Sequence, residues 1–153
     1  MRTLRSYFRL NPFERWIVVQ SVAGLVIARI GLRVAGFGVW KKVVTWLSSA
    51  NAESREVEDT RSFASSIART QAAAERHLFF RPSCLEHALV LWYLLRRHGV
   101  AALIRIGGRK EQGVFEAHAW VEVDGLPIGD ADGAHRGFVP FAGPVAVMEN
   151  QIR

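Results

Sequence analysis

Residues 81–123, "RPSCLEHALVLWYLLRRHGVAALIRIGGRKEQGVFEAHAWVEV", decide the fold, because the spacing of their apolar residues changes at Gly99. Before it the spacing is helical. Ser83 followed three residues later by Glu86 is a capping box, and Pro82 discourages a helix from running in from upstream. Cys84 therefore takes the first helical position. Leu85, Ala88, Leu89, Trp92 and Leu95 make a core-facing stripe, and Gly99 supplies a left-handed cap.

After Gly99 the period becomes that of strands. "VAALIRI" (100–106) reads as one strand, "GGRKEQG" (107–113) as a loop, "VFEAHAWVEV" (114–123) as a second strand, "DGLP" (124–127) as a turn and "IGDA" (128–131) as the start of a third. Alternation in the second strand puts Phe115, Ala117, Ala119, Val121 and Val123 on one face, to pack on helices. Glu116, His118, Trp120 and Glu122 take the other, a composition suited to a cleft wall.

Upstream, "NPFE" (11–14) starts a helix, with Asn11 as cap, Pro12 in the first turn and Glu14 reaching back; it should run to about Gly31 or Gly36. A second helical segment spans about 37–48 with Trp40 and Trp46, then the polar "SSANAES". Helical spacing resumes over 54–77, with Val57, Ala64, Ile67, Ala68 and Ala72 near one face. The chain divides into a helical region, 1–52, and an α+β core, 53–153.

Composition agrees with a globular protein: 153 residues, half of them hydrophobic and 22% charged. The net charge of +6 is concentrated in residues 1–42, where eight Lys/Arg meet one Glu. Basicity confined to one third of the chain suits a membrane surface or an acidic partner at least as well as nucleic acid. The apolar run "WIVVQSVAGLVIA" (16–28) is shorter than the roughly 20 residues of a spanning helix. A cleaved signal lacks its small-residue site, an interfacial anchor is a second reading, and a buried helix of the fold is the favoured one.

A single cysteine cannot form a disulfide within the chain. At a helix start it is either a packed small residue or a nucleophile, since the free N–H groups and helix dipole favour a thiolate and a developing oxyanion. His118 and Asp130 would complete a triad as proton carrier and orienting carboxylate. Each alone has a structural explanation; together they point to one cleft. Register sets a condition. A two-residue turn at 124–125 places Asp130 opposite Ala119, pointing away from His118, whereas a bulged three-residue loop at 124–126 puts Asp130 opposite Trp120 and Asp132 opposite His118. The triad thus calls for the bulge, which Pro127 makes reasonable, with Asp132 in reserve as third member. His77, His87, His98, His118 and His135 share no metal-ligand spacing, and "GGRK" lacks the setting of a phosphate loop, so no metal or cofactor is expected.

Residues 83–130 resemble the transglutaminase-like, papain-like cysteine peptidases that remove leader peptides in lasso-peptide biosynthesis. The marks are the Ser-Cys-Leu helix start, the Leu-Leu-Arg-Arg-x-Gly helix end, the Ile-Gly turn, "AHAWVE" and the acidic residue after "DG". These cover about a third of the chain, and 54–80 is similar more loosely. One departure is Gly108, where a larger residue is expected. The resemblance implies Cys84 as nucleophile, His118 as general base and acid, and Asp130 as its orienting partner. It further implies a ribosomally made precursor peptide as substrate, cut at the leader–core junction, and an ATP-dependent macrolactam synthetase as the next enzyme. Fused winged-helix recognition domains occur in the family; the helical N-terminal third here lacks their strand pattern, so the leader-recognition protein should be a separate chain. A cytoplasmic place is implied, with the basic apolar N-terminus packing, docking a partner or resting on the inner membrane surface. Two other functions fit the same residues: a non-catalytic scaffold that binds leader peptides, and another acyl-transfer enzyme such as a transglutaminase or amidase.

Overall fold

The computed structural model describes residues 11–34 and 60–141. The expected helix at 37–48, Val57, and the 52/53 boundary lie outside them. Three helices come first: α1 (Pro12–Val34), α2 (Thr60–Glu75) and α3 (Cys84–Arg97). They are followed by β1 (Ala102–Glu111), β2 (Val114–Val123), β3 (Leu126–Ile128), a short 3-10 helix (Ala131–Gly137) and β4 (Val139–Pro140). The strands form one antiparallel sheet in the order β3-β2-β1-β4. The expected α+β class is the observed one.

α3 is the centre of the molecule, packed between α1 and α2 on one side and β1 and β2 on the other. It is buried nearly all round rather than along one stripe: Ala88, Leu89, Val90, Leu91, Trp92, Leu94 and Leu95 are all in the core, while Leu85 is half-buried. Burying each large side chain here contributes about 1.5–3 kcal/mol. Trp92 loses no hydrogen bond by burial, because its indole N–H donates to the Ala102 carbonyl at 3.0 Å. The helix closes as expected, with His98 as cap and Gly99 at a φ of 77°.

The helix start at Asn11 is a true capping box: the Glu14 N–H donates to Asn11 Oδ1 at 2.7 Å and the Asn11 N–H to Glu14 Oε2 at 2.9 Å. α1 then continues through Arg29 to Val34. Its buried line is Ile17, Ser21, Leu25 and Ala28, with Gly24 so close to α3 that a Cβ there would lie 3.1 Å from Val90 Cγ1. Trp16, Val19, Ile27, Ile30 and Val34 are exposed on its other side. With 23 residues and a mean hydropathy of 1.8 over its most apolar window, of which 22% is buried, α1 is long and apolar enough to cross a membrane. The 13-residue run counted in the sequence understates it, because the helix does not stop at Arg29 or Arg33, which follow that run.

Beyond the bounds of the third strand, which is Leu126–Ile128 and ends where the sequence reading has it begin, the sheet corrects two expectations. Residues 107–111, read as loop, are the second half of β1, and the connection to β2 is only Gln112–Gly113, both at positive φ as a tight hairpin requires. The paired glycines signal crowding, not a loop. A Cβ on Gly107 would lie 2.8 Å from the Val139 carbonyl oxygen and 3.0 Å from the Trp120 ring; one on Gly108 would lie 2.7 Å from Phe115 and 3.0 Å from Phe141. A larger residue at 108 would have to displace those rings. The second correction is that only Ala119, Val121 and Val123 of the apolar face of β2 are buried. Phe115 and Ala117 lie where the hairpin outruns the helices, and Phe115 is 65% exposed.

Candidate active site

Cys84 is the first residue of α3 and is half-buried. The predicted capping box is present: the Glu86 N–H donates to Ser83 Oγ at 3.2 Å and the Ser83 N–H to Glu86 Oε2 at 2.7 Å. A helix start leaves its earliest N–H groups, here those of Cys84 and Leu85, without intrahelical acceptors. A brace from α1 holds this start in place. Arg29 donates to the Arg81 carbonyl at 3.3 Å, lies 3.6 Å from the Glu86 carboxylate, and sits 4.4 Å above the Phe80 ring. No local pattern in the sequence singles out Arg29 for this role.

His118 stands mid-strand on β2, opposite Gly107 of β1. Its ring is flanked by Trp120 at 6.1 Å, stacked, and by Phe138 at 5.2 Å. Trp120 is itself fixed by donating to Glu122 at 3.0 Å, and Glu122 also accepts from Arg105 at 2.9 Å. His118 Nε2 is 2.8 Å from Asp130 Oδ1. With Nε2 committed to a carboxylate as donor, Nδ1 is the nitrogen free to take or give a proton.

The turn that delivers Asp130 is not the expected one. Val123 pairs with Leu126, so the connection is the two-residue Asp124–Gly125 turn, both residues at positive φ, without a bulge. Alternation would then point Asp130 away from His118. It does not, because β3 ends at Ile128 and Gly129 turns left-handed at a φ of 69°, releasing Asp130 from the ladder before alternation reaches it. The side chain of Asp132 is not among those described.

Cys84, His118 and Asp130 line one cleft of about 280 Å³, together with Trp120, Glu75 and His87. The Asp130 side chain is 6% exposed. Burial alone would raise its pKa, but hydrogen bonds from His118 and from the backbone and ring of His135 outweigh that and hold the carboxyl below its usual range. Those His135 bonds are short: its N–H donates to Asp130 Oδ2 at 2.7 Å, and its Nδ1 lies 2.6 Å from the same oxygen.

A second imidazole–carboxylate pair lines the same cleft, where His87 Nδ1 is 2.6 Å from Glu75 Oε1. The fully buried Gln71 donates to Glu75 at 3.0 Å and to the His87 carbonyl at 3.1 Å. Burial works against a charged Glu75 as well; the bond and charge of His87, with Gln71, still leave it below the usual carboxylate range. Sequence reasoning tested His87 and His135 only for metal spacing. The i, i+3 relation of Cys84 and His87 was readable; the five-residue reach from Asp130 to His135 carries no recognised pattern.

A family model, the transglutaminase-like superfamily, matches residues 24–142, well over half of the chain, and the chain belongs to that superfamily. The match begins inside α1, at Gly24. Comparison with the curated proteins and with the solved structures gives no match. Cysteine peptidases and acyl transferases both occur in the superfamily.

Proposed function

We propose that this member of the superfamily is a cysteine peptidase that removes the leader from a ribosomally synthesised precursor during lasso-peptide maturation. The observation that carries the catalytic reading is the His118–Asp130 hydrogen bond of 2.8 Å in the same cleft as a thiol at a helix start. The finer substrate assignment is supported by the motif set of residues 83–130. The partners proposed with it are a separate leader-recognition protein and an ATP-dependent macrolactam synthetase.

In this mechanism His118 Nδ1 takes the Cys84 proton, and the sulfur attacks the carbonyl carbon at the leader–core junction. The C–S bond forms, and the oxyanion faces the first N–H groups of α3. The C–N bond then breaks as His118 returns the proton to the leaving amine, freeing the core and leaving the leader as a thioester. Water, deprotonated by His118, cleaves the thioester to a carboxylic acid and restores the thiol. Asp130 holds the ring so that Nδ1, not Nε2, carries the transferred proton.

Mass spectrometry of a candidate precursor tests the proposal, with and without the recognition protein. Wild-type protein should give leader and core fragments at a single junction. Cys84→Ala should give neither while still binding the precursor. Cleavage that survives Cys84→Ala would overturn the mechanism, and intact precursor in the complete mixture would overturn the substrate assignment.

A further inference from the structure

We infer that His135 is the positioning residue that fixes Asp130 for His118, an inference that rests on the catalytic reading above. The reason lies in how Asp130 leaves the sheet. No ladder bond orients it, since β3 ends two residues earlier, and although it stands at the N-cap of the short helix its side chain makes no ordinary cap bond. A buried aspartate free to rotate would present either oxygen, or neither, to the imidazole.

His135 removes that freedom. Its N–H and its Nδ1 both bind Oδ2, at 2.7 and 2.6 Å, which turns Oδ1 toward His118. The two carboxylate oxygens thus have separate tasks. The His135 ring lies beside the sheet face that carries His118, its centroid 6.2 Å from that of Trp120. The short helix Ala131–Gly137 is what brings residue 135 back over residue 130, and its backbone carries one of the two bonds. For the ring to contribute, Nδ1 must be the protonated nitrogen.

Because Cys84 is the only cysteine, its alkylation by iodoacetamide reads the thiolate without any peptide substrate. His135→Phe keeps a ring beside Trp120 and loses the donor; His135→Asn keeps a donor. His135→Phe should slow alkylation near neutral pH about tenfold, as loss of a charge-assisted hydrogen bond implies, with Asn restoring it to within about threefold. Peptide cleavage should fall in kcat, not KM, in the same order. Equal alkylation in folded wild type and His135→Phe would overturn the inference, as would Asn and Phe being equally impaired. Nitrogen NMR of labelled histidine in the wild type needs no variant: His135 should be protonated at Nδ1, and a tautomer protonated only at Nε2 would overturn the inference. If no precursor is cut but the alkylation series and the tautomer hold, the peptidase reading fails and the positioning role stands.

Discussion

His118 Nε2 lies 2.8 Å from Asp130 Oδ1 although the turn between their strands assigns Asp130 the opposite face of the sheet. The contact exists because one residue, Gly129, ends the strand in a conformation that side chains disfavour. Placement of the carboxylate is therefore a backbone event, completed by hydrogen bonds from the next few residues.

Gly129→Ala tests this directly. The residue needs a φ of 69°, and a Cβ there would lie 2.8 Å from Leu91 Cδ2 and 3.1 Å from Ala68 Cβ. Left-handed strain and overpacking together should cost about 1–3 kcal/mol, read as a lower melting midpoint. Activity at temperatures where the variant is fully folded should fall as well, since the strand end sets where Asp130 emerges. Unchanged kcat in a destabilised variant would show that Asp130 finds His118 without this turn.

Much of this was legible in the sequence. The start of α3, its cap at Gly99 and the place of His118 on β2 follow from local rules: capping chemistry, glycine at a helix end and strand alternation. What was not legible depended on groups distant in the chain. Gly107 and Gly108 look like a loop until Trp120, Val139, Phe115 and Phe141 are seen pressing on them. The Arg29 brace and the His87–Glu75 pair join residues whose spacing follows no motif. Asp130 was placed by the right residue type through the wrong turn, because the alternation argument assumed a strand longer than three residues.

Asp130→Asn should separate orientation from folding. The amide nearly matches the carboxylate in shape, yet it cannot accept from His135 and His118 as a charged group does, and its NH₂ can turn toward either ring. A loss in kcat of about a hundredfold or more is expected, the scale of a misoriented catalytic imidazole, with KM little changed. A variant within a few-fold of wild type would remove Asp130 from the mechanism.

The first helix should prove inseparable from the catalytic half. Ile17, Leu25 and Ala28 belong to the same buried cluster as Leu91 and Val121, and Arg29 braces the start of α3. Residues 53–153 expressed alone would expose that cluster and leave Glu86, whose side chain is 9% exposed, without its cation. Circular dichroism and thermal melting should show no cooperative transition for the truncated chain. A sharp transition near that of the full chain would make residues 1–52 an independent appendage.

Acid should lower the stability of the protein over two ranges of pH, with His98 contributing to the first. This residue caps α3 between the rings of Phe13 and Phe63, at 5.2 and 6.3 Å, and its Nε2 is buried without a hydrogen-bond partner among the described residues. Burial, and then the neighbouring charge of Arg97, lower its pKa from the ordinary 6.5. The fold therefore favours the neutral ring, whereas the unfolded chain takes up a proton near pH 6.5. Stability from this source is complete above that pH and declines as pH falls from there through the lower folded value. Asp130 and Glu75 act further down: both carboxyls are depressed, so what they add is present above the ordinary carboxylate range and lost as pH falls through their folded values. His98→Leu should reduce the first decline and leave the second intact. Denaturant unfolding measured from neutral pH to about pH 3 distinguishes the two, the carboxylate decline lying near and below their reference of about 4. An unaltered slope near pH 6 in His98→Leu would assign the first decline to another group.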